Sequence, residues 1–150
     1  MNISYFMNEA HKEAKKALKN LEVPIGGVLV NNEDESIISR KHNQINNFNN
    51  AIYHCEILLI LDACKKLKTK YLNNTTLFIT LEPCIMCSAA ISEVHISRVY
   101  FSAYDVKNNG LEKFVKLNIK NNIFVPDVYG GISESQNSIL IKNFFKSKRK

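Results

Sequence analysis

A chain of 150 residues, 45% hydrophobic and 23% charged, suits one globular domain with an ordinary core and shows no linker between two. No apolar run approaches the roughly 20 residues that span a bilayer, so no membrane role is expected, and Met1-Asn2-Ile3-Ser4 opens into a polar, amphipathic pattern and not a secretory signal. The formal charge of +6 favours a polyanionic partner such as RNA without specifying a fold. The cysteines are expected in a reducing cytoplasm, where thiols serve metals or catalysis more often than disulfides.

In chain order, Phe6, Ala10, Ala14, Ala17, Leu18 and Leu21 recur at helical spacing and predict an amphipathic helix over about 4–20. His11 falls on its solvated side. Gly26 to Val30 reads as a short apolar strand, residues 31–34 as a turn, and 36–41 as a second strand. An Asn-rich loop leads to about Ile52. A helix from about Tyr53 to Leu67 is apolar on most sides and is expected to be buried.

Thr75 to Leu81 is a strong β run, ended by Glu82-Pro83, and a helix over about 84–94 follows. A strand at 97–103, a short helix at 111–117 and a strand at 122–125 come next. The last helix carries a capping-box pattern, Ser133 with Gln136, and ends in Phe144-Phe145 and a basic tail at about 146–150. Strands alternating with helices predict an α/β fold, a three-layer α/β/α sandwich on a mixed sheet of about five strands, forming one domain over 1–150.

Two short stretches carry the chemistry: His54-Cys55-Glu56, and Pro83-Cys84-Ile85-Met86-Cys87. An imidazole and two thiolates are ligand types that zinc prefers, and three protein ligands leave a fourth position for water, as in catalytic sites. A carboxylate beside that water, Glu56, can carry protons to and from a substrate. Cys84 and Cys87, three apart at a helix start, can reach one ion, and the positive end of the helix dipole favours their thiolate forms. His54 and Glu56 share no helical face, so both must lie in a first turn that points at the metal. The combination reads as metal-assisted hydrolysis.

Other readings of the same residues exist. A lone Cys-x-x-Cys also suits a redox pair, but that leaves His54 and Glu56 without a role. A structural zinc site needs a fourth ligand; Cys55, Cys64, His42 and His95 are candidates, and none has paired-ligand spacing. Cys55 and Cys64 are explained as small apolar residues. His95 lies at a helix end.

The pattern H-x-E followed by P-C-x-x-C is the known signature of the zinc-dependent nucleoside and nucleobase deaminases, and the chain resembles that superfamily. Within it, the likeness to the bacterial tRNA-specific adenosine deaminases spans nearly the whole sequence. Val23-Pro24-Ile25-Gly26-Gly27-Val28-Leu29-Val30 is similar to the family's strand entry. Thr80-Leu81-Glu82-Pro83-Cys84-Ile85-Met86-Cys87 nearly repeats its metal segment. Arg98-Val99-Tyr100-Phe101 with Asp105 and Lys107 resembles its RNA-facing run. Gly131-Ile132 and the stretch from Phe144 to Arg149 resemble its closing segments. Tyr53 and Cys55 depart from the pattern, each standing where the family usually has alanine.

The resemblance implies one Zn²⁺ per subunit on His54, Cys84 and Cys87, with Glu56 as the catalytic proton carrier. It implies hydrolytic deamination of the wobble adenosine of a tRNA anticodon stem-loop to inosine, by a cytoplasmic homodimer. It also implies substrate contacts at Pro24, Asn43, Asp105, Lys107, Phe145, Lys146 and Arg149, with Asn43 reading the base edge. The alternatives are a deaminase of a free base or nucleoside, of guanine or cytosine type, and a non-catalytic, zinc-stabilised RNA-binding module.

Overall fold

In the computed structural model, which describes residues 1–108 and 110–148, the elements run α1 (Ile3–Lys19), β1 (Gly26–Asn31), β2 (Ile37–His42), α2 (Cys55–Leu67), β3 (Thr75–Leu81), α3 (Ile85–Glu93), β4 (Arg98–Ala103), α4 (Leu111–Asn118), β5 (Asp127–Tyr129) and α5 (Glu134–Lys148). The strands form one five-stranded sheet in the order β2-β1-β3-β4-β5. β1 is antiparallel to β2 and β3, while β3, β4 and β5 are parallel. This is the expected mixed sheet. Helices cover both faces, so the central strands lack the polar alternation of a half-solvated strand.

Two apolar clusters flank the sheet. On one face Phe6, Met7 and Ala10 of α1 pack on Val28, Val30 and Phe78. On the other, Cys55, Leu59 and Ala63 of α2 and Ile91 of α3 pack on Leu29, Leu77, Ile79, Val99 and Phe101. Alternate β3 residues serve opposite clusters, Phe78 one and Leu77 with Ile79 the other. α1 starts at Asn2, whose side chain accepts the Tyr5 N–H at 3.0 Å.

Register decides where the functional segments go. Gly26 pairs with His42, Gly27 with Ile79, and Leu81 with Ala103. The N-terminal end of β1 and the C-terminal ends of β2, β3 and β4 therefore share one sheet edge. Pro24, Asn43, Glu82 and Asp105 all leave the sheet there. Ligands of open α/β sheets bind at the carboxyl ends of the parallel strands, and this edge includes two of them.

Four expectations need correction. The last strand is Asp127–Tyr129, not 122–125: Pro126 has no N–H to offer, pairing begins with the Asp127 N–H on the Ser97 carbonyl at 3.0 Å, and Phe124 stacks on His95 instead. Ser133 is no capping-box residue, because at φ 53 it is left-handed and not extended. α2 is buried along one stripe only; Leu61 is 56% exposed. His11 is buried, its Nδ1 against the Asn137 side chain. The periodicity of α1 shows its own apolar stripe but not the side chain of Asn137 on α5 that His11 meets.

Gly26 is where α1 lies closest to the sheet: an added Cβ would stand 2.2 Å from the Ala14 nitrogen and 2.5 Å from the Ala10 oxygen. Gly26→Ala meets backbone, which cannot rotate away, and is expected to destabilise by roughly 3 kcal/mol. Urea unfolding checks this; a loss under about 1 kcal/mol would contradict the close α1–β1 packing.

Candidate active site

His54 and Cys84 occupy the same structural position in two helices. His54 is the N-cap of α2 and Cys84 the N-cap of α3, both in extended conformation, and neither side chain makes a capping hydrogen bond. Their side chains face each other instead. His54 Nδ1 lies 3.7 Å from Cys84 Sγ and 3.6 Å from Cys87 Sγ. With Zn–N near 2.05 Å and Zn–S near 2.3 Å, tetrahedral coordination sets N and S about 3.5 Å apart. The three donors therefore fit zinc in chemistry and in spacing.

Among the described residues, His54, Cys84 and Cys87 form the one group able to hold a metal ion. None of the four candidate fourth ligands joins it. Cys55 is buried and its Sγ donates to the Lys41 carbonyl at 3.2 Å. Cys64 lies near the Lys70 carbonyl. The His42 ring bonds the Asn43 carbonyl, and His95 stacks between Tyr71 and Phe124. The cradle is three-sided, as a catalytic site requires.

Charge follows from this packing. The hydrogen bond from Cys87, with His54 nearby, holds Cys84 at about 4. The Cys87 thiol goes up in turn, because the Cys84 sulfur, burial and Glu56 oppose a second negative charge. A dication would relieve this repulsion and hold both sulfurs as thiolates. The bond to Cys84 raises His54. Glu56, the second residue of α2, is buried with its carboxyl beside the Cys87 sulfur, and burial pushes it up to about 7. A carboxyl that titrates near neutrality can both accept and donate a proton.

The sequence-predicted rim residues divide into two sets. Pro24 is buried at the centre of a three-residue turn in which the Ile25 N–H donates to the Val23 carbonyl at 2.7 Å. Asn43 is 4% exposed, its Oδ1 accepting the Cys55 N–H at 2.8 Å. Among the described residues Asn43 Nδ2 has no partner, which leaves it as the available donor. Asp105 and Lys107 follow β4; the Asp105 carboxylate accepts from Asn108, and Lys107 is exposed. Beside them a groove of about 360 Å³ runs between Asp105, Val106, Lys113 and Lys116.

Phe145 and Lys146 are exposed on α5, which packs on β3 and β4, and no hydrogen bond or ion pair ties them to the metal cradle. Phe144, beside them, is buried. Arg149 lies outside the described residues.

Two residues escaped the sequence reading. Glu22 and Glu82 are buried carboxylates whose oxygens accept backbone N–H groups of the rim. The sequence signal was slight: Glu82 directly precedes Pro83, and Glu22 stands two residues before Pro24. The rim also carries Phe48, 61% exposed, packed against Tyr53 with ring centroids 5.7 Å apart.

The chain is similar to known proteins in sequence and fold. A family model for the cytidine and deoxycytidylate deaminase zinc-binding region matches residues 1–103. The tRNA-specific adenosine deaminase of Rickettsia bellii (strain RML369-C) is 39% identical over 144 residues, covering 95% of this chain and 99% of that protein. A solved structure from a study of A-to-I editing by tRNA deaminases at the wobble position of transfer RNA superposes with a TM-score of 0.84 at 39% identity, covering 91% of this chain and 98% of the other. A guanine deaminase from Nitrosomonas europaea reaches a TM-score of 0.82 at 16% identity, covering 94% of this chain and 83% of its own, a likeness of fold alone.

Removing one donor from a three-sided cradle leaves too few to hold the ion. Cys87→Ala is expected to lower bound zinc, read by elemental analysis, below about a tenth of wild type, and to lower the unfolding midpoint because metal binding and folding are linked. A variant that keeps a full complement of zinc would refute the assignment.

Proposed function

The chain belongs to the cytidine and deoxycytidylate deaminase zinc-binding family, and on that premise we propose that it converts adenosine to inosine at the wobble position of a tRNA anticodon loop. The observation that carries this reading is the three-donor cradle with the buried carboxyl of Glu56 against it. The choice of tRNA over a free base is supported by the full-length likeness to a tRNA-specific adenosine deaminase at 39% identity, against 16% for a guanine deaminase of the same fold. The net charge of +6 supports a polyanionic substrate.

One zinc ion per subunit would be held by His54, Cys84 and Cys87, and when bound would supply a Lewis acid and a water acidified to near neutrality. Glu56 takes the proton of the attacking water and passes it to N1 of adenine, which makes C6 electrophilic. The water oxygen bonds to C6, and Glu56 then moves the second proton from that oxygen to the amine, so the C6–N bond breaks and adenosine and water become inosine and ammonia. Asn43 is suited to orient the base: Cys55 occupies its carbonyl oxygen, which leaves its amide to donate to a purine acceptor. Pro24 borders the base, and Asp105 and Lys107 meet the RNA loop. Phe145, Lys146 and Arg149 extend contact along the backbone, with affinity that falls as salt rises. An unpaired loop lets the base swing out at little energetic cost. The cytoplasm, with its tRNA and reduced thiols, is the setting.

A homodimer is part of the proposal. Leu61 on α2 and Ile85 on α3 are 56% and 66% exposed, and Ile57, Leu58 and Met86 beside them are half-buried. This apolar face lies on the two helices that start at the metal ligands, so a second copy seated there would adjoin the pocket.

Glu56→Gln is expected to lower kcat about a thousandfold, with zinc content retained and RNA affinity little changed. The measurement is inosine formation, located by sequencing, in an anticodon stem-loop and separately in free nucleosides. Turnover of free nucleosides alone would replace the tRNA reading, and RNA binding with no inosine from either substrate would favour a binding module. For the dimer, Leu61→Glu combined with Ile85→Glu should give a monomer by sedimentation; a wild-type monomer would end that part of the proposal.

A further inference from the structure

We propose that Glu22 and Glu82 are a matched pair of positioning residues that hold the two rim segments of the pocket in the shape that receives RNA. The inference rests on the tRNA reading above and names what sets substrate affinity in that site. Glu22 is 1% exposed, with Oε1 accepting the Asn46 N–H at 3.0 Å and Oε2 the Asn47 N–H at 2.7 Å. Glu82 is 6% exposed, with Oε1 accepting the Asp105 N–H at 3.2 Å and Oε2 the Glu112 N–H at 3.1 Å. Each carboxylate thus binds two main-chain donors, one on each oxygen.

Neither glutamate forms an ion pair among the described residues. A buried carboxylate without a cation is unfavourable unless hydrogen bonds replace its water, and an apolar side chain in its place would leave the loop N–H groups unpaired. The arrangement is therefore reciprocal: the loops solvate the charge, and the charge fixes the loops.

The same device stands on both sides of the metal cradle. Glu22 lies two residues before Pro24 and holds the Asn-rich loop that ends at His54. That loop folds back through Phe48 N–H to Gln44 carbonyl and Gln44 N–H to Tyr53 carbonyl, at 3.2 and 3.1 Å. Glu82 lies two residues before Cys84 and holds the segment bearing Asp105. Its own N–H donates to the Ala103 carbonyl at 2.8 Å. Gly110 closes the contact: a Cβ there would stand 2.5 Å from the Pro83 oxygen and 2.9 Å from Glu82 Cγ. Both carboxylates hold surfaces that meet substrate without touching the reacting base. Their loss should weaken RNA binding more than it slows chemistry.

The test uses zinc-loaded, full-length protein carrying Glu22→Gln or Glu82→Gln. Glutamine keeps the size but turns an NH₂ towards one of the two N–H donors. Amide exchange should quicken over residues 44–50 in the first variant and in peptides covering Asp105 and Glu112 in the second. KM for the anticodon stem-loop should rise roughly tenfold in each, with kcat and zinc content nearly unchanged. Gly110→Ala keeps the glutamate but forces the second segment away from Pro83 and the Glu82 side chain, and should reproduce the KM effect, which provides for a Glu82 variant that folds poorly. Unaltered exchange in those segments, an unaltered KM, or a fall in kcat alone would overturn the proposal. Wild-type protein inert towards RNA would instead overturn the functional reading, and that is seen before any substitution is made.

Discussion

Three donor atoms from segments 30 residues apart must arrive within reach of one ion, and the rest of the fold is arranged around that demand. It is met by bringing two helix N-termini together at one edge of a sheet. His54 enters from the loop that follows β2, and Cys84 from the end of β3. The antiparallel β1–β2 hairpin and the antiparallel β1–β3 pairing put those two exits side by side. A slip of one residue in either ladder would exchange the buried faces of the strands and shift the exits relative to each other. The hydrophobic pattern of β1 and β3 therefore specifies the metal cradle as firmly as the ligands do.

Using helix N-caps as ligands has a structural consequence. An N-cap side chain ordinarily accepts one of the orphan N–H groups of the first turn, and His54 and Cys84 do not. Other groups take over. Asn43 accepts the first N–H of α2, and Glu82 accepts the Glu112 N–H of α4, whose N-cap is a glycine without a side chain. The second substitution also places a negative charge at the positive end of a helix, where it is stabilised. Asn43 thus stands in for a cap whose side chain faces the metal cradle, whereas Glu82 serves a helix whose own cap has no side chain to offer.

That distinction explains what could be read from the amino-acid letters. The grouping of His54, Cys84 and Cys87 was legible because donor type and spacing are both written in the sequence. The element order was legible because burial imposes periods of two and 3.6 residues. Glu22 and Glu82 were not, because their partners are main-chain N–H groups, which every residue except proline carries. Asn46 and Asn47 bind Glu22 through backbone N–H groups, which their side-chain type does not announce. His11 was misjudged for a related reason: its partner Asn137 lies 126 residues away, and no local pattern reports a second helix. β5 moved because Pro126 interrupts an otherwise plausible strand, a local signal whose effect depends on which neighbour the strand meets.

The departures of this chain from its family pattern fall where this frame can absorb them. Cys55 stands beside a ligand, yet its side chain points into the core and donates to the Lys41 carbonyl, and burial pushes its thiol well above the ordinary range. With its sulfur turned to the Lys41 carbonyl, Cys55 is not among the groups placed to reach the ion. Tyr53, on the other side of His54, packs against Phe48 at the surface. One change is thus neutralised by burial and the other moved to the rim, which leaves the geometry of the centre to the three ligands. Variation beside a metal centre is tolerated when each new side chain has a partner that holds it away from the ion.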